Sequence, residues 1–276
     1  MIVIEESGHL SRYSNARLLR TESSLAVASA HKVPAPRPQS RAPRLLHLPT
    51  WSQLSIATRQ RGPIGQGGGD FFEIIQHREG HVSTLVADVC GNGPTAAVPV
   101  SRLRWLVRQH LAGGDTPGTL LSKLNDAIIA VNEPDLFVTA VCVQIDPQSG
   151  AVTVASAGHL GPFVKRASGD AQELAVAAGA ALGILPDQPY GERRVDLDSQ
   201  DAIVLVTDGI TDPLGTASSP LGQAGLLAEL ARARPSAESI CAALLSGGTT
   251  EHDATVVVLK LPSRHRRVTP VRNQSR

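Results

Sequence analysis

An α+β fold is what this chain predicts, and three observations predict it. Short Val-rich runs of strand length recur at 82–87, 138–145, 152–155, 202–207 and 255–259. Two of them are joined by Asp146-Pro147-Gln148-Ser149-Gly150, where proline and glycine fix a chain reversal and so pair the neighbours as a hairpin. Helical stretches at 95–111, 119–131, 221–233 and 236–245 come in blocks between the strands, whereas a doubly wound parallel sheet alternates helix and strand one by one.

The first helical stretch carries Leu103, Leu106, Val107 and Leu111 at helical spacing with arginines on its other faces. In the last, Ser236 follows Pro235 and is placed to cap the first turn. With hydrophobic residues at 42% and aromatics at only 3% of 276 residues, the core must be built from Ala, Val, Leu and Ile. Residues 1–47 differ from the rest. Pro34, Pro36, Pro38 and Pro43 exclude a helix there, and Arg12, Arg17, Arg20, Lys32, Arg37, Arg41 and Arg44 make the stretch basic, as expected of a flexible extension. A core domain is expected over 48–261, and 262–276, with Arg264, Arg266, Arg267, Arg272 and Arg276, reads as a solvated tail.

A formal net charge of +1 supplies no field that would draw nucleic acid or an acidic membrane. No apolar run reaches the ~18 residues a membrane-spanning helix needs. Glu5 and Glu6 stand where a secretory leader would be basic, so a cytoplasmic location is expected. Cys90, Cys142 and Cys241 have no metal-ligand spacing and are read as reduced, small hydrophobes.

Carboxylates recur at the ends of strands that should be buried. Asp88 follows 82–87 and opens DVCGNG, Asp208 follows 202–207 and opens DGITD, and Asp253 immediately precedes the last strand. If that last strand runs antiparallel to the others, the three side chains arrive at one sheet edge. GGGDFFE adds Asp70 and Glu73 beside a run of glycines. Taken singly, each aspartate suits a turn or a cap; recurrence at three strand ends weakens that reading. Clustered, partly buried carboxylates repel one another unless a cation neutralises them. Oxygen donors in this number suit Mg²⁺ or Mn²⁺ rather than zinc. Two such ions can activate a shared water for attack on a phosphoryl group. GPIGQGGGD lacks the GK[ST] of a phosphate-binding loop, and neither HExxH nor GxSxG occurs. Asp208 and Asp212, four apart, do not form the close pair of an aspartyl-phosphate enzyme, and His159 is expected to be a satisfied core or turn residue.

GGGDFFE, LVADVCGNGPTAA, FVTAVCVQID, ASAGHLGPF, ALGI, VLVTDGITD and HDATVVVLK, in that order, resemble the SpoIIE/RsbU-like branch of the PPM-type protein phosphatases. The resemblance implies a four-layer α/β/β/α sandwich with two antiparallel sheets and a site holding two Mn²⁺ or Mg²⁺ ions at one edge. It further implies that Asp88 bridges the ions, that the Val89 carbonyl completes one site, and that Asp208 and Asp253 serve the other. Asp70 and Glu73 resemble the family's outer carboxylates, which hold metal-bound waters. The implied substrate is a phosphorylated regulatory protein, an antagonist of an anti-sigma factor, dephosphorylated at serine or threonine. The sequence departs from the family pattern at Glu73, where aspartate is more usual, and at His252, which stands in place of a first aspartate. Asn92 occupies a position often held by histidine and completes the expected catalytic set with Asp88, Asp208 and Asp253; it can donate a hydrogen bond but cannot transfer a proton at neutral pH. These departures keep two alternatives open: a catalytically weak binding module on the same fold, and a phosphatase for a small metabolite.

Overall fold

The computed structural model describes residues 2–4, 10–11, 54–61, 68–77, 79–90, 94–133, 135–211, 222–246 and 253–263. In chain order the elements are β1 (Ile2–Ile4), β2 (Leu10–Ser11), β3 (Ser55–Arg61), β4 (Asp70–Gln76), β5 (Val82–Val89), α1 (Pro94–Ala112), α2 (Pro117–Val131), β6 (Val138–Ile145) and β7 (Ala151–Ala157). Then come β8 (Phe163–Lys165), β9 (Ala171–Glu173), β10 (Ala178–Gly179), β11 (Arg193–Asp196), β12 (Ala202–Val206), α3 (Gly222–Arg232), α4 (Ala237–Ser246) and β13 (Ala254–Lys260).

Sheet A runs β10-β7-β6-β5-β4-β1-β2, with β11 also on β7, and sheet B runs β3-β13-β12-β8-β9. All pairings are antiparallel except the short β10–β7 contact. The expected hairpin between β6 and β7 is closed by the Asp146 side chain, which accepts from the Gln148 and Ser149 amides, and by Gly150 at φ 84°. The start of the segment expected to be a flexible extension instead supplies β1 and β2, which lengthen sheet A beyond β4. The rest of that segment and nearly all of the basic C-terminal tail lie outside the described residues.

Strand alternation sorts side chains into three apolar layers. Phe72, Ile74, Val86, Val141 and Val143 of sheet A meet Val164, Ile203, Leu205, Val257 and Leu259 of sheet B between the sheets. On the outer face of sheet A, Phe71, Ile75, Leu85 and Cys142 pack under Leu103, Val107 and Leu111 of α1 and Leu120, Leu121 and Leu124 of α2. Val204, Val206, Val256 and Val258 do the same for α3 and α4 on the outer face of sheet B. The result is the four-layer α/β/β/α sandwich. The helices stop and start on local chemistry: Ser236 Oγ accepts from the Ser239 amide at 3.1 Å, the expected cap of α4, and Asn132 at φ 52° ends α2 in a left-handed turn. Because β12 and β13 are antiparallel, the end of one meets the start of the other, with Val206 opposite Val256. That register places Asp208 and Asp253 at the same rim.

Candidate metal centre

The rim is built by alternation on β4 and β5. Asp70 shares the inter-sheet face with Phe72 and Ile74, and it stands directly opposite Asp88 in the β4–β5 register. Asp88 is in turn opposite Thr139 on β6. From sheet B, Thr207 and Thr255 reach across the gap, and their hydroxyls donate to Asp70 Oδ2 at 2.6 and 2.8 Å. The Thr255 amide donates to Thr207 Oγ1 at 2.9 Å, so the two threonines are themselves fixed. Asp208 opens a 3₁₀ turn, Asp208–Ile210, directly after β12 and is exposed; Asp253 precedes β13 and is half-buried.

Tandem glycines set how closely these groups approach. A Cβ on Gly68 would sit 1.8 Å from Asp253 Oδ2, and one on Gly69 would sit 2.3 Å from the Val89 carbonyl oxygen and 2.7 Å from Asp88 Oδ1. A Cβ on Gly209 would fall 1.8 Å from the Asp253 carbonyl oxygen. The segment before β4 therefore lies flush against Asp88, Val89 and Asp253, leaving no room for a side chain. The Val89 amide donates to the Gly69 carbonyl at 3.1 Å and pins this approach.

The electrostatics report a shortage of positive charge. Burial, then the charges of Asp208 and Asp253, push the Asp88 carboxyl up to about 6. Burial pushes Asp70 up to about 8, the charges of Asp88 and Asp253 add to it, and the two threonine bonds oppose it. Neutral hydroxyls orient the Asp70 carboxylate but do not cancel its charge. Among the described residues, no three acidic, histidine or cysteine side chains already stand close enough to enclose one ion. The donor set, carboxylates plus the Val89 carbonyl at a partly open rim, nevertheless fits hard divalent ions that keep several waters. It does not suit zinc.

Glu73, expected beside Asp70 as an outer carboxylate, is not part of the cluster. Three residues on from Asp70, it points to the opposite face of sheet A. There, under α1, it accepts from Arg104 Nε at 2.7 Å and from Arg108 Nε and Nη2 at 2.9 and 3.0 Å. Asn92, Asp212 and His252 lie outside the described residues.

His159 is buried with both ring nitrogens engaged. Nε2 meets the Val206 carbonyl at 3.1 Å and must donate to it, which leaves Nδ1 to accept from the Thr139 hydroxyl at 2.8 Å. Burial holds its pKa down to about 4. It ties the strand beside Asp88 to the strand end before Asp208 without joining the carboxylates. Thr207, Thr255 and Thr139 are site-building residues that the motif reading passed over. Their one visible signal is a polar residue at the tip of an otherwise apolar strand, as in LVTD and DATV.

A rim of aspartates drawn from two face-to-face sheets, backed by helices on both sides, defines the PPM class of phosphatase folds. The chain belongs to the family described as Stage II sporulation protein E (SpoIIE), whose model matches residues 78–262. It is 28% identical over 150 residues to the phosphoserine phosphatase RsbU of Bacillus subtilis (strain 168), a match covering 54% of this chain and 44% of that protein. The chain thus spans less than half the length of that relative. The RsbU and RsbW domains of Rv1364c from Mycobacterium tuberculosis share its fold at a TM-score of 0.66 and 24% identity, over 77% of this chain and 62% of that one. The catalytic domain of the serine/threonine protein phosphatase PstP, in complex with two manganese ions, does so at 0.54 and 21%, over 76% and 99%. No helix among the described residues is long and apolar enough to cross a membrane.

Proposed function

We propose that this chain is a metal-dependent phosphatase that removes phosphate from serine or threonine on a regulatory protein of the anti-sigma-factor antagonist type. The observation that carries the reading is the convergence of Asp70, Asp88, Asp208 and Asp253, from two sheets, on one rim, where burial and one another's charge raise the carboxyls of Asp70 and Asp88. The name of the RsbU relative and the manganese in the PstP domain support both the reaction and the ions.

Asp88, Asp208, Asp253 and the Val89 carbonyl would hold two Mn²⁺ or Mg²⁺ ions, with Asp70 ordering the surrounding water. When bound, such ions supply an activated water and neutralise charge on the phosphoryl group. The chain's own residues do the rest. Thr207 and Thr255 hold Asp70 in one orientation, and glycines 68 and 69 let the segment before β4 lie flush against Asp88, Val89 and Asp253. His159 and Thr139 fix the spacing of the two sheets beside Asp88 and Asp208. A rim that leaves Asp208 exposed and Asp88 and Asp253 half-buried offers little side-chain selectivity, so specificity is assigned to docking of a folded partner.

The deciding experiment is hydrolysis of p-nitrophenyl phosphate and of a phosphoserine protein, with and without Mn²⁺. Metal-dependent turnover of both is expected. Binding of a phosphoprotein without turnover of either substrate would favour the binding-module alternative.

A further inference from the structure

Five large hydrophobic side chains are exposed among the described residues, and four of them gather beside the metal centre. Phe137 is joined to the strand end that follows Asp88 and Val89: the Cys90 amide donates to the Phe137 carbonyl at 3.0 Å, and the Phe137 amide donates to Cys90 Sγ at 2.9 Å. Two residues on, about 7 Å along the strand, Thr139 stands opposite Asp88 itself. The bridge Val138–Leu182 brings the loop carrying Ile184 and Leu185 against this strand. A Cβ on Gly183 would meet Ile128 of α2 at 2.7 Å and the Leu136 carbonyl at 2.8 Å. Val131 lies one helical turn beyond Ile128, on the same side of α2.

Ile184 and Leu185 are 52% and 48% exposed, yet their loop is rigidly framed. Buried Asn125 accepts from the Gly183 amide and donates to the Leu185 carbonyl, both at 2.9 Å. Apolar side chains displayed on a fixed frame bind with little ordering cost. The rim of the patch is acidic. Glu133 and Asp135, just before Phe137, and Asp187, just after Leu185, are all exposed, and no lysine or arginine occurs in 124–164 or 167–192. A partner that covers the patch must therefore bring positive charge to its edge.

We propose that Val131, Phe137, Ile184 and Leu185 form the docking surface for the substrate protein, which presents an apolar residue flanked by lysine or arginine next to its phosphorylated serine. The proposal rests on the phosphatase reading for the identity of the partner, while the surface itself can be tested without turnover.

The test uses the full chain and two fluorescent peptides of equal length around an unphosphorylated serine. One carries leucine and arginines, and in the other the arginines are replaced by glutamates. Anisotropy titrations at low salt are expected to show at least tenfold tighter binding of the basic peptide. Ile184→Asp should remove at least tenfold of that affinity with an unchanged unfolding midpoint, and Asp135→Lys combined with Asp187→Lys should invert the preference. Equal binding of the two peptides, or an Ile184→Asp chain that binds like the parent, overturns the proposal. A wild-type dimer split by Ile184→Asp, with both peptides bound alike, would give the patch to a second copy of the chain and also overturn it. Mn²⁺-dependent hydrolysis of p-nitrophenyl phosphate by the wild type is measured in parallel: its failure would remove the phosphatase reading, while the peptide result still decides the surface.

Discussion

Asp70 and Glu73 sit three residues apart on one strand, are both buried, and meet opposite fates. On the helix face, Glu73 receives two guanidinium groups from α1, so burial pushes its carboxyl up while Arg108 and Arg104 pull it back. On the inter-sheet face, Asp70 receives only hydroxyls and the charges of other aspartates, and it is pushed up to about 8. A buried carboxylate whose counter-charge is part of the fold serves the fold. One whose partners are neutral or like-charged is left to a group from outside. Arg104 and Arg108 are side chains of the helix that covers sheet A, so the Glu73 pair also fastens α1 to the strand that carries Asp70.

The comparison can be broken in four places. The largest effect is expected at the rim: Asp208→Asn should cost about 10²–10³-fold or more in Mn²⁺-dependent hydrolysis, while its exposed position keeps the stability change within about 0.5 kcal/mol. Retention of most activity would refute the assignment. Glu73→Ala should do the reverse. Removing one partner of a buried ion pair strands the other, and because both arginines keep some solvent contact the loss is set at the lower end, about 3 kcal/mol in urea unfolding. Mn²⁺ affinity of the folded fraction should hold. A Glu73→Ala chain that is stable but binds Mn²⁺ poorly would return Glu73 to the metal centre.

Asp70→Asn should stabilise the metal-free protein. A carboxyl raised to about 8 in the folded state and ordinary in the unfolded one is protonated on folding throughout the interval between. Stability contributed by the protonated form is therefore present in acid and lost as pH rises toward 8. The amide removes that cost, roughly 2 kcal/mol at pH 8 after a generous discount on the full shift, and it should weaken Mn²⁺ binding. A metal-free Asp70→Asn protein no more stable than its parent at pH 8 would mean that Asp70 carries no such cost.

The smallest effect concerns His159, whose shift has the other sign. Its folded pKa of about 4 lies below the ordinary 6.5, so between these values the unfolded chain takes up a proton that the folded chain refuses. Its contribution to stability is whole above pH 6.5 and falls as pH drops toward 4. Between pH 7 and 5 the wild type should lose about 1–2 kcal/mol relative to His159→Gln. Taking the difference cancels the opposite trend from Asp70 and Asp88. Parallel pH profiles for the two proteins would place His159 outside the buried hydrogen-bonded position described here.

Much of this contrast was legible in the sequence. The Val-rich strands ending in Asp88 and Asp208, and the one starting after Asp253, were readable because apolar runs and turn residues are local signals. Their convergence followed once the last strand ran antiparallel. Strand β4 was harder: DFFEIIQ begins with a charge and carries another, so it is not among the strands the sequence predicts, and only its pairing opposite β5 fixes which carboxylate faces which sheet. That is why Glu73 was grouped with Asp70. A motif records proximity along the chain, whereas a strand sends successive side chains to opposite faces. β3, SIATRQR, was missed because its burial comes from α4 and β13, which are distant in sequence. The threonine clamp on Asp70 spans 137 and 185 residues of chain and leaves no local trace.

The central claim is that aspartates from two sheets make one divalent-cation centre, and calorimetric titration of Mn²⁺ into the metal-free full chain tests it without reference to turnover. The wild type should bind about two ions per chain, Asp88→Asn should lose this binding, and Glu73→Gln should keep it. A wild type that takes up no Mn²⁺, or an Asp88→Asn chain that binds it as the wild type does, would contradict the account.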